Sequence, residues 1–210
     1  MKARFSFRFR NHGRTFPVFS DIPYGSRVPK AAKLILNPQV GMGTMQIAQA
    51  LRASLVVSTA STMAKVEQAQ AAGYEQVINL SQESLREGVA HLTNGAGVHA
   101  VIDGVAGPLT GQALASLTQG GTLVSVGYSG GSEAMINVTD LIWKGARIRG
   151  FTFSIFLPET IQAANQAIFT FLLEGRIKPL VARIFLQEDA AEAQRYLIED
   201  RPFGRVLLTI

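Results

Sequence analysis

The stretch at residues 33–65, KLILNPQVGMGTMQIAQALRASLVVSTASTMAK, decides the fold. Residues 34–36 (LIL) form a short apolar run typical of a buried strand, and residues 55–57 (LVV) form a second one. Between them lie Gly41 and Gly43, followed by apolar residues at helical spacing. We therefore predict a strand, a glycine turn, a helix and a strand, which together make one βαβ unit. The free N–H groups and the positive dipole end at the start of such a helix favour a phosphate.

The end of the second strand indicates which dinucleotide this unit would bind. In proteins that bind NAD, a carboxylate about 20 residues past the glycines accepts a hydrogen bond from the ribose 2′-OH. Here residues 58–62 (STAST) offer hydroxyl groups, and Lys65 follows. Hydroxyls and a cation suit a 2′-phosphate, so we predict NADPH as the cofactor. Two alternatives stay open: a solvated loop with a surface lysine, and a simple tight turn at the two glycines, which lack the third glycine of a full fingerprint.

Composition is typical of a soluble globular protein. The 210 residues are 47% hydrophobic and 17% charged, and no apolar run approaches the length of a membrane span. There is no cysteine, which excludes a disulfide framework and a thiolate zinc site. The histidines, His12, His91 and His99, lack the spacing of metal ligands, and we predict no metal site. A reducing compartment is permitted, and we expect a cytoplasmic protein.

Residues 1–30 form a basic arm that differs from the rest. Of the 20 Lys and Arg residues, eight lie in residues 1–33 beside one acid, so the remaining chain is nearly neutral. Residues 4–10 (RFSFRFR) alternate strictly, which would place Phe on one side of an extended chain and Arg on the other. With turn residues at 11–13 (NHG), we predict an amphipathic strand and a loop. Binding of single-stranded nucleic acid, a cleavable targeting segment and the absence of a well-ordered element are alternatives.

From residue 66 onward, helix and strand patterns alternate with short turns. Strands are predicted at residues 77–79, 98–103, 122–127, 148–153, 180–185 and 205–210, and helices at residues 85–92, 109–117, 139–143, 158–174 and 190–197. We therefore predict an α/β fold, a Rossmann-type doubly wound parallel sheet with a C-terminal α/β extension. Ligands of such sheets lie beyond the carboxyl ends of the strands. We expect Asp103, at one such end, to be a turn or helix-capping acid rather than a general base.

Five segments resemble, in order and spacing, the nucleotide-binding and C-terminal parts of the medium-chain dehydrogenase/reductase superfamily. They are VGMGTMQIAQAL (40–51), VINLSQESLREGV (77–89), VIDGVAGPLTGQALASLTQGGTLVSVGYSGG (101–131), LIWKGARIRGFTF (141–153) and EDRPFGRVLLTI (199–210). The resemblance is closest to the zinc-independent quinone oxidoreductases, relatives of ζ-crystallin. It implies reduction of a quinone or an activated alkene, such as an enal, with NADPH, by dimers or tetramers.

The resemblance also implies a cofactor site drawn from many parts of the chain. The implied contacts are Gly41, Met42 and Gly43 for the pyrophosphate; Ser61 and Lys65 for the 2′-phosphate; Gly104, Val126, Gly127, Tyr128, Ser129, Phe151, Thr152 and Phe153 for the nicotinamide half; and Phe203 and Gly204 near the C-terminus. The substrate would lie near Tyr128, Phe151 and Phe153, for which simple packing is the alternative. No catalytic side chain is assigned, because the cofactor supplies the hydride and water can deliver the proton.

The chain departs from the family pattern in three places. Val40 stands where the family has a glycine, Leu80 stands where relatives can have a tyrosine, and only the arm stands where relatives have a catalytic domain. We divide the chain into the arm (1–30), a dinucleotide-binding domain (31–153) and a segment (154–210) that in the family returns to the catalytic domain. Apolar faces of this last segment should be exposed, or covered by the arm or by another subunit, and we predict a homo-oligomer.

Three functions follow from these observations. The predicted function is NADPH-dependent reduction of a quinone or enal. The first alternative is a catalytically inactive module that binds NADPH or only oligomerises. The second is nucleic-acid binding through the arm; we expect neither nucleic acid nor a membrane to be a partner.

Overall fold

The computed structural model describes residues 9–11, 14–16, 32–36, 38–200 and 202–210. Two short strands, β1 (Phe9–Asn11) and β2 (Arg14–Phe16), pair antiparallel as a hairpin separate from the main sheet. Asn11 is the register partner of Arg14. Most of the predicted amphipathic strand lies outside the described residues, as do residues 12–13 of the predicted turn, whereas Asn11 is the last residue of β1.

A six-stranded parallel sheet forms the centre of the fold. Its strands are β3 (Ala32–Leu36), β4 (Leu55–Ala60), β5 (Val77–Asn79), β6 (Val98–Asp103), β7 (Leu117–Ser125) and β8 (Arg147–Gly150). Their spatial order is β5-β4-β3-β6-β7-β8, and every neighbouring pair is parallel. This is the Rossmann order, in which the direction of winding reverses between β3 and β6. The predicted doubly wound sheet is confirmed.

Helices cover both faces of this sheet. They are α1 (Pro38–Ala50), α2 (Met63–Ala71), α3 (Leu85–Leu92), α4 (Pro108–Ala115) and α5 (Val138–Lys144). Side chains alternate along β3, so Leu34 and Leu36 belong to one core layer and Ile35 belongs to the other. Residues of α3 and α4 share the layer of Leu34, whereas residues of α1 and α2 share that of Ile35. A buried apolar layer therefore lies on each side of the sheet.

The C-terminal segment forms a smaller unit beside the main sheet. It comprises α6 (Pro158–Leu173), β9 (Val181–Leu186), α7 (Ala190–Glu199) and β10 (Arg205–Thr209). Strands β9 and β10 pair parallel in a two-stranded sheet, and α7 covers one face through Phe185, whose ring lies 5.8 Å from that of Tyr196. The opposite face carries Ile184, Leu186 and Leu207, which are 42–58% exposed. The expected exposure of apolar surface in this segment is confirmed.

Side-chain hydrogen bonds attach this segment to α1. The Gln46 side chain donates to the carbonyl of Lys178 at 2.9 Å and accepts from its N–H. The guanidinium of Arg176 donates to the carbonyl of Ala50, close to the end of α1. The connection that leads into β9 is therefore held against the dinucleotide-binding domain.

The structure corrects two predictions in the first βαβ unit. Gly41 and Gly43 lie inside α1 rather than in a turn before it, because the helix begins at Pro38, whose fixed φ suits a first helical position. Strand β4 continues to Ala60, so Ser58 and Thr59 are buried within the sheet. The hydroxyls available beyond the strand are therefore fewer than the sequence suggests.

Three boundaries in the second half also differ from prediction. Leu117 begins β7 instead of continuing α4. Helix α5 begins at Val138, one residue before the predicted start, and Asn137 caps it by accepting a hydrogen bond from the N–H of Thr139 at 3.1 Å. Strand β8 ends at Gly150, so residues 151–153 lie beyond the strand.

Among the helices of the described residues, none combines the length and the apolar character that a membrane span requires.

Candidate cofactor-binding site

The segments that follow the parallel strands begin at one edge of the sheet, where the carboxyl ends of the strands lie together. Helix α1 follows β3, residues 61–62 follow β4, and longer loops follow β6, β7 and β8. Ligands of open parallel sheets bind at this edge, next to the strands where the winding reverses. All of the predicted cofactor residues except Lys65, in the first turn of α2, and Phe203 and Gly204 belong to these segments.

The two glycines of α1 have different surroundings. A β-carbon at Gly41 would lie 3.4 Å from Cγ2 of Ile35, whereas one at Gly43 would meet nothing within 4 Å. A methyl group at Gly41 would thus make an ordinary contact with Ile35, and one at Gly43 would lie in open space. The Met42 side chain is buried in the core. Helix α1 begins at Pro38, so the backbone N–H groups that have no partner within the helix belong to residues that precede Gly41. The N–H groups expected to bind a phosphate are therefore those of residues 39 and 40, rather than those of Gly41, Met42 and Gly43.

A hydroxyl and a cation remain at the start of α2, as the sequence predicts. Thr62 caps this helix by accepting a hydrogen bond from the N–H of Lys65 at 3.4 Å. Ser61 is exposed next to this cap. Among the described residues, no carboxylate lies within ion-pair distance of the Lys65 ammonium. The positive end of the helix dipole adds to this local positive charge, and the combination suits a phosphate dianion.

A narrow cleft runs between α1, β4, α2 and the C-terminal segment. Its walls include Met42, Lys65 and Phe203, three predicted cofactor residues from distant parts of the chain. The ring of Phe203 lies edge-on to that of Tyr74, with centroids 6.1 Å apart. The hydroxyl of Tyr74 accepts a hydrogen bond from Gln46 at 2.9 Å. The structure thus brings Phe203 to the side of Lys65.

Gly204 has a structural reason to be glycine. Its φ is +134°, and a β-carbon there would lie 2.8 Å from the backbone nitrogen of Ala182. This close approach sets the start of β10 against β9. A cofactor contact at Gly204 stays a prediction.

The loops after β6 and β7 are joined by hydrogen bonds. The hydroxyl of Ser129 donates to the carbonyl of Gly104 at 3.2 Å, and the N–H of Val126 donates to the carbonyl of Asp103 at 2.7 Å. The N–H of Gly104 in turn donates to the carbonyl of Leu36, at the end of β3. Three of the residues predicted to contact the nicotinamide half therefore belong to one connected group.

The three aromatic residues predicted to line the substrate pocket all expose ring surface. Tyr128 is 75% exposed, Phe151 is 38% exposed and Phe153 is 61% exposed. The ring of Phe151 packs against that of Phe156, with centroids 5.0 Å apart. Thr152 lies between the two phenylalanines, beyond the end of β8. These side chains are available to a ligand at the carboxyl edge, and their contact with a substrate stays a prediction.

Sequence reasoning missed Tyr74, which lines the cleft, and Gln46, whose side chain donates a hydrogen bond to the Tyr74 hydroxyl. The side-chain amide of Gln46 donates hydrogen bonds to the hydroxyl of Tyr74 and to the carbonyl of Lys178. The sequence does place a glutamine within the apolar pattern of α1. This indicates that Gln46 has hydrogen-bond partners in the fold, because a polar side chain that packs inward needs them. Its partners lie far along the chain and could not be chosen from sequence.

Two described side chains have pKa values that differ clearly from the usual ones. Burial lowers the pKa of Lys33 in β3. Hydrogen bonds from the hydroxyl and the N–H of Ser84 lower the pKa of Glu87, which forms a capping box at the start of α3. Neither group lies at the carboxyl edge of the sheet.

The family model for zinc-binding dehydrogenases matches residues 40–170, which is more than half of the chain. The chain belongs to this family. The resemblance to the medium-chain dehydrogenase/reductase superfamily is thereby confirmed, and the matched range runs from α1 into α6.

Relatives within the family include quinone oxidoreductases. Bovine quinone oxidoreductase-like protein 2 is 28% identical over 173 residues, which are 81% of this chain and 50% of the relative. Quinone oxidoreductase 1 of Escherichia coli K12 is 32% identical over 167 residues, 77% of this chain and 47% of the relative. The crystal structure of E. coli quinone oxidoreductase complexed with NADPH matches with a TM-score of 0.74 and 28% identity, over 87% of this chain and 58% of that one. The chain spans about half the length of the curated relatives it matches.

The part of the chain that the structure describes offers no set of ligands for the zinc in the family's name. Within the described residues, no group of three or more His, Cys, Asp or Glu side chains could hold a metal ion. The sequence contains no cysteine to supply a thiolate ligand.

Proposed function

We propose that this chain is an oxidoreductase that binds NADPH along the carboxyl edge of the sheet and uses it to reduce a quinone or an activated alkene such as an enal. The observation that carries the proposal is the pair Ser61 and Lys65 at the start of α2. No acidic residue stands between Ala60 and Val66 to accept a hydrogen bond from a ribose 2′-OH. The cation and the helix dipole instead favour the 2′-phosphate that distinguishes NADPH from NADH.

The proposed orientation of the cofactor follows from the positions of the two groups of residues. The adenosine half would lie by Lys65, next to β4, and the nicotinamide half would lie by Gly104 and Val126, next to β6 and β7. The switch point between β3 and β6 separates these positions, which is where an open parallel sheet accommodates a dinucleotide. Support for NADPH also comes from the E. coli quinone oxidoreductase whose structure is described as complexed with NADPH.

The chain's own residues would act by positioning. When bound, NADPH supplies the hydride. The connected loops after β6 and β7 would fix the orientation of the nicotinamide half, and the exposed rings of Tyr128, Phe151 and Phe153 offer flat apolar surfaces for a planar acceptor. Holding two reactants in the right geometry can account for a large part of a rate enhancement. Water at this open edge can deliver the proton that completes reduction.

The exposed apolar surface of the C-terminal segment supports a further part of the proposal, that the chain is a homo-oligomer. Ile184, Leu186 and Leu207 form a continuous apolar face opposite α7. Faces of this kind on soluble proteins mark sites of protein association.

A turnover assay tests the proposed activity. Purified protein is mixed with NADPH and a simple benzoquinone, and the loss of NADPH absorbance is compared with that in a protein-free control. We expect oxidation of NADPH that scales with protein concentration and falls in the Lys65→Ala variant. Binding of NADPH without turnover would contradict the enzyme and favour the alternative of an inactive NADPH-binding module.

A further inference from the structure

Asp103 is a carboxylate buried completely at the end of β6. Its Oδ1 atom accepts hydrogen bonds from the N–H groups of Val105, at 2.9 Å, and Ala106, at 2.8 Å. Its Oδ2 atom accepts from the hydroxyl of Thr110 in α4, at 2.8 Å. A buried charged group without such partners would be very costly, so these three bonds determine where the following loop can run.

The loop that Asp103 holds, residues 104–107, has an unusual backbone. Ala106 has a φ of +59°, a backbone conformation that residues other than glycine rarely adopt. Gly107 follows with a φ of +60° and is the N-cap residue of α4, without a side-chain cap. The hydrogen bond from Ala106 to Asp103 offsets the cost of this conformation, because the bond forms only when the chain turns back toward the carboxylate.

The same loop supports its neighbour, residues 126–131, which follows β7. The N–H of Gly130 donates to the carbonyl of Val105 at 2.7 Å. A β-carbon at Gly107 would lie 2.5 Å from the carbonyl oxygen of Gly130, so the two backbones are in direct contact. A shift of the first loop would therefore displace the second.

We infer that Asp103 is a positioning residue for the nicotinamide half of the cofactor. It acts through the backbone of residues 104–107 and, through them, on residues 126–131. This inference rests on the proposed function, because these two loops are where the nicotinamide half is proposed to bind. The adenosine half lies by Lys65, in a part of the edge that Asp103 does not support. Loss of the Asp103 carboxylate should therefore weaken one half of the site and leave the other intact.

Two ligands distinguish binding at the nicotinamide half of the site from binding at the adenosine half. NADPH would engage both halves, whereas adenosine 2′,5′-bisphosphate carries the adenosine with its 2′- and 5′-phosphates and lacks the nicotinamide half. We expect Asp103→Ala to weaken NADPH binding about tenfold or more, the effect of losing hydrogen bonds to a buried charge. The same variant should bind adenosine 2′,5′-bisphosphate as the wild type does. Equal weakening of both ligands by a variant that still folds would overturn the inference.

Conservative variants and a matched control complete the binding test. In Asp103→Asn the side-chain oxygen can still accept from both N–H groups and the new amide can donate to Thr110, so NADPH affinity should return close to the wild-type value. Ser116→Ala removes a buried hydroxyl that donates to Gln112 in the same helix, away from the loops, and should leave both ligands unaffected. If Asp103→Ala does not fold, Asp103→Ser replaces it, because its hydroxyl is too short to bridge both N–H groups.

Hydrogen exchange tests the mechanism without any ligand. Asp103→Ala, and not Asp103→Asn or Ser116→Ala, should speed exchange of the N–H groups of residues 105, 106 and 130. Unchanged exchange at residue 130 would overturn the coupling of the two loops, whatever the binding data show. Failure of the wild type to bind either ligand would overturn the proposed function, while the exchange result would still decide whether Asp103 holds the loops together.

Discussion

The backbones of Gly104 and Gly127 touch at the carboxyl edge of the sheet. A β-carbon at Gly127 would stand 2.9 Å from the carbonyl oxygen of Gly104, closer than real β-carbons approach such atoms. Gly104 follows β6 and Gly127 follows β7, so this contact fixes the distance between the two loops proposed to hold the nicotinamide half. The space between them leaves no room for a side chain.

We expect Gly127→Ala to force these loops apart. The added methyl group should destabilise the fold by about 1–3 kcal/mol, the usual cost of overpacking, and should weaken NADPH binding. Chemical denaturation and a NADPH titration measure the two effects. Gly150→Ala is the matched control, because a β-carbon at Gly150 would meet nothing within 4 Å. Equal effects from the two substitutions would contradict the close contact.

Much of the central sheet could be predicted from the sequence. Strand β5 (Val77–Asn79) and strand β6 (Val98–Asp103) have the predicted bounds, because short apolar runs between turn residues leave little choice of boundary. The parallel order then follows from the alternation of strands and helices. The role of Asp103 as a turn acid is also confirmed, since an aspartate before a glycine-containing loop readily accepts from the backbone.

The structural features that the sequence does not predict depend on contacts between distant residues, or on a competition between two local conformational preferences. The glycines at positions 41 and 43 indicate a turn, yet Pro38 starts a helix that continues through both, and the packing of Met42, Met45 and Ala48 with Ile35 stabilises it. The position of Phe203 beside Tyr74 arises from the path of the whole C-terminal segment. No local pattern in the sequence contains that information.

The core layer shared by α3 and α4 should dominate stability. Leu114 is completely buried in this layer, whereas Leu173 near the end of α6 is 90% exposed. Leu114→Ala should therefore lower the free energy of unfolding by about 2–5 kcal/mol, the sum of lost burial and a cavity. Leu173→Ala removes the same atoms from a solvent-exposed site and should change the free energy of unfolding little. Urea denaturation of the two variants provides the comparison, and a similar loss in both would be inconsistent with this core.

The capping box of α3 should make stability depend on pH in the acid range. The hydroxyl of Ser84, and then its N–H, donate to the Glu87 carboxylate and lower its pKa below the ordinary value of 4.5. The folded protein therefore binds this proton less readily than the unfolded chain, so the stabilisation is present above pH 4.5 and is lost as the pH falls through the folded-state pKa.

Glu87→Gln isolates this effect, because glutamine has a similar shape and does not titrate. The stability advantage of the wild type over Glu87→Gln should shrink as the pH falls below 4.5. In a Ser84→Ala background the change with pH should be smaller, since the larger of the two causes is gone. Thermal unfolding at several pH values measures both differences. A gap that stays constant across the acid range would refute the proposed linkage.

Association through the C-terminal segment should be sensitive to charge. Ile184 and Leu207 are register partners on the face opposite α7. Replacing both with Glu should shift the proposed oligomer toward the monomer, because two carboxylates would have to be buried in the interface. Met135→Glu adds the same kind of charge at an exposed site in a different loop and serves as the control. Light scattering measures the mass; a wild-type monomer at high concentration would count against the oligomer.

The central claim is that Lys65 contacts the 2′-phosphate of NADPH, and titration with NADPH and NADH, followed by cofactor fluorescence, tests it most directly. Lys65→Ala should weaken NADPH binding about tenfold, or roughly 1.4 kcal/mol, and leave NADH binding unchanged. Lys178→Ala, which removes an exposed lysine from the connection before β9, should alter neither affinity. A wild type that binds neither cofactor, or a Lys65→Ala variant that retains the full affinity for NADPH, would contradict the account.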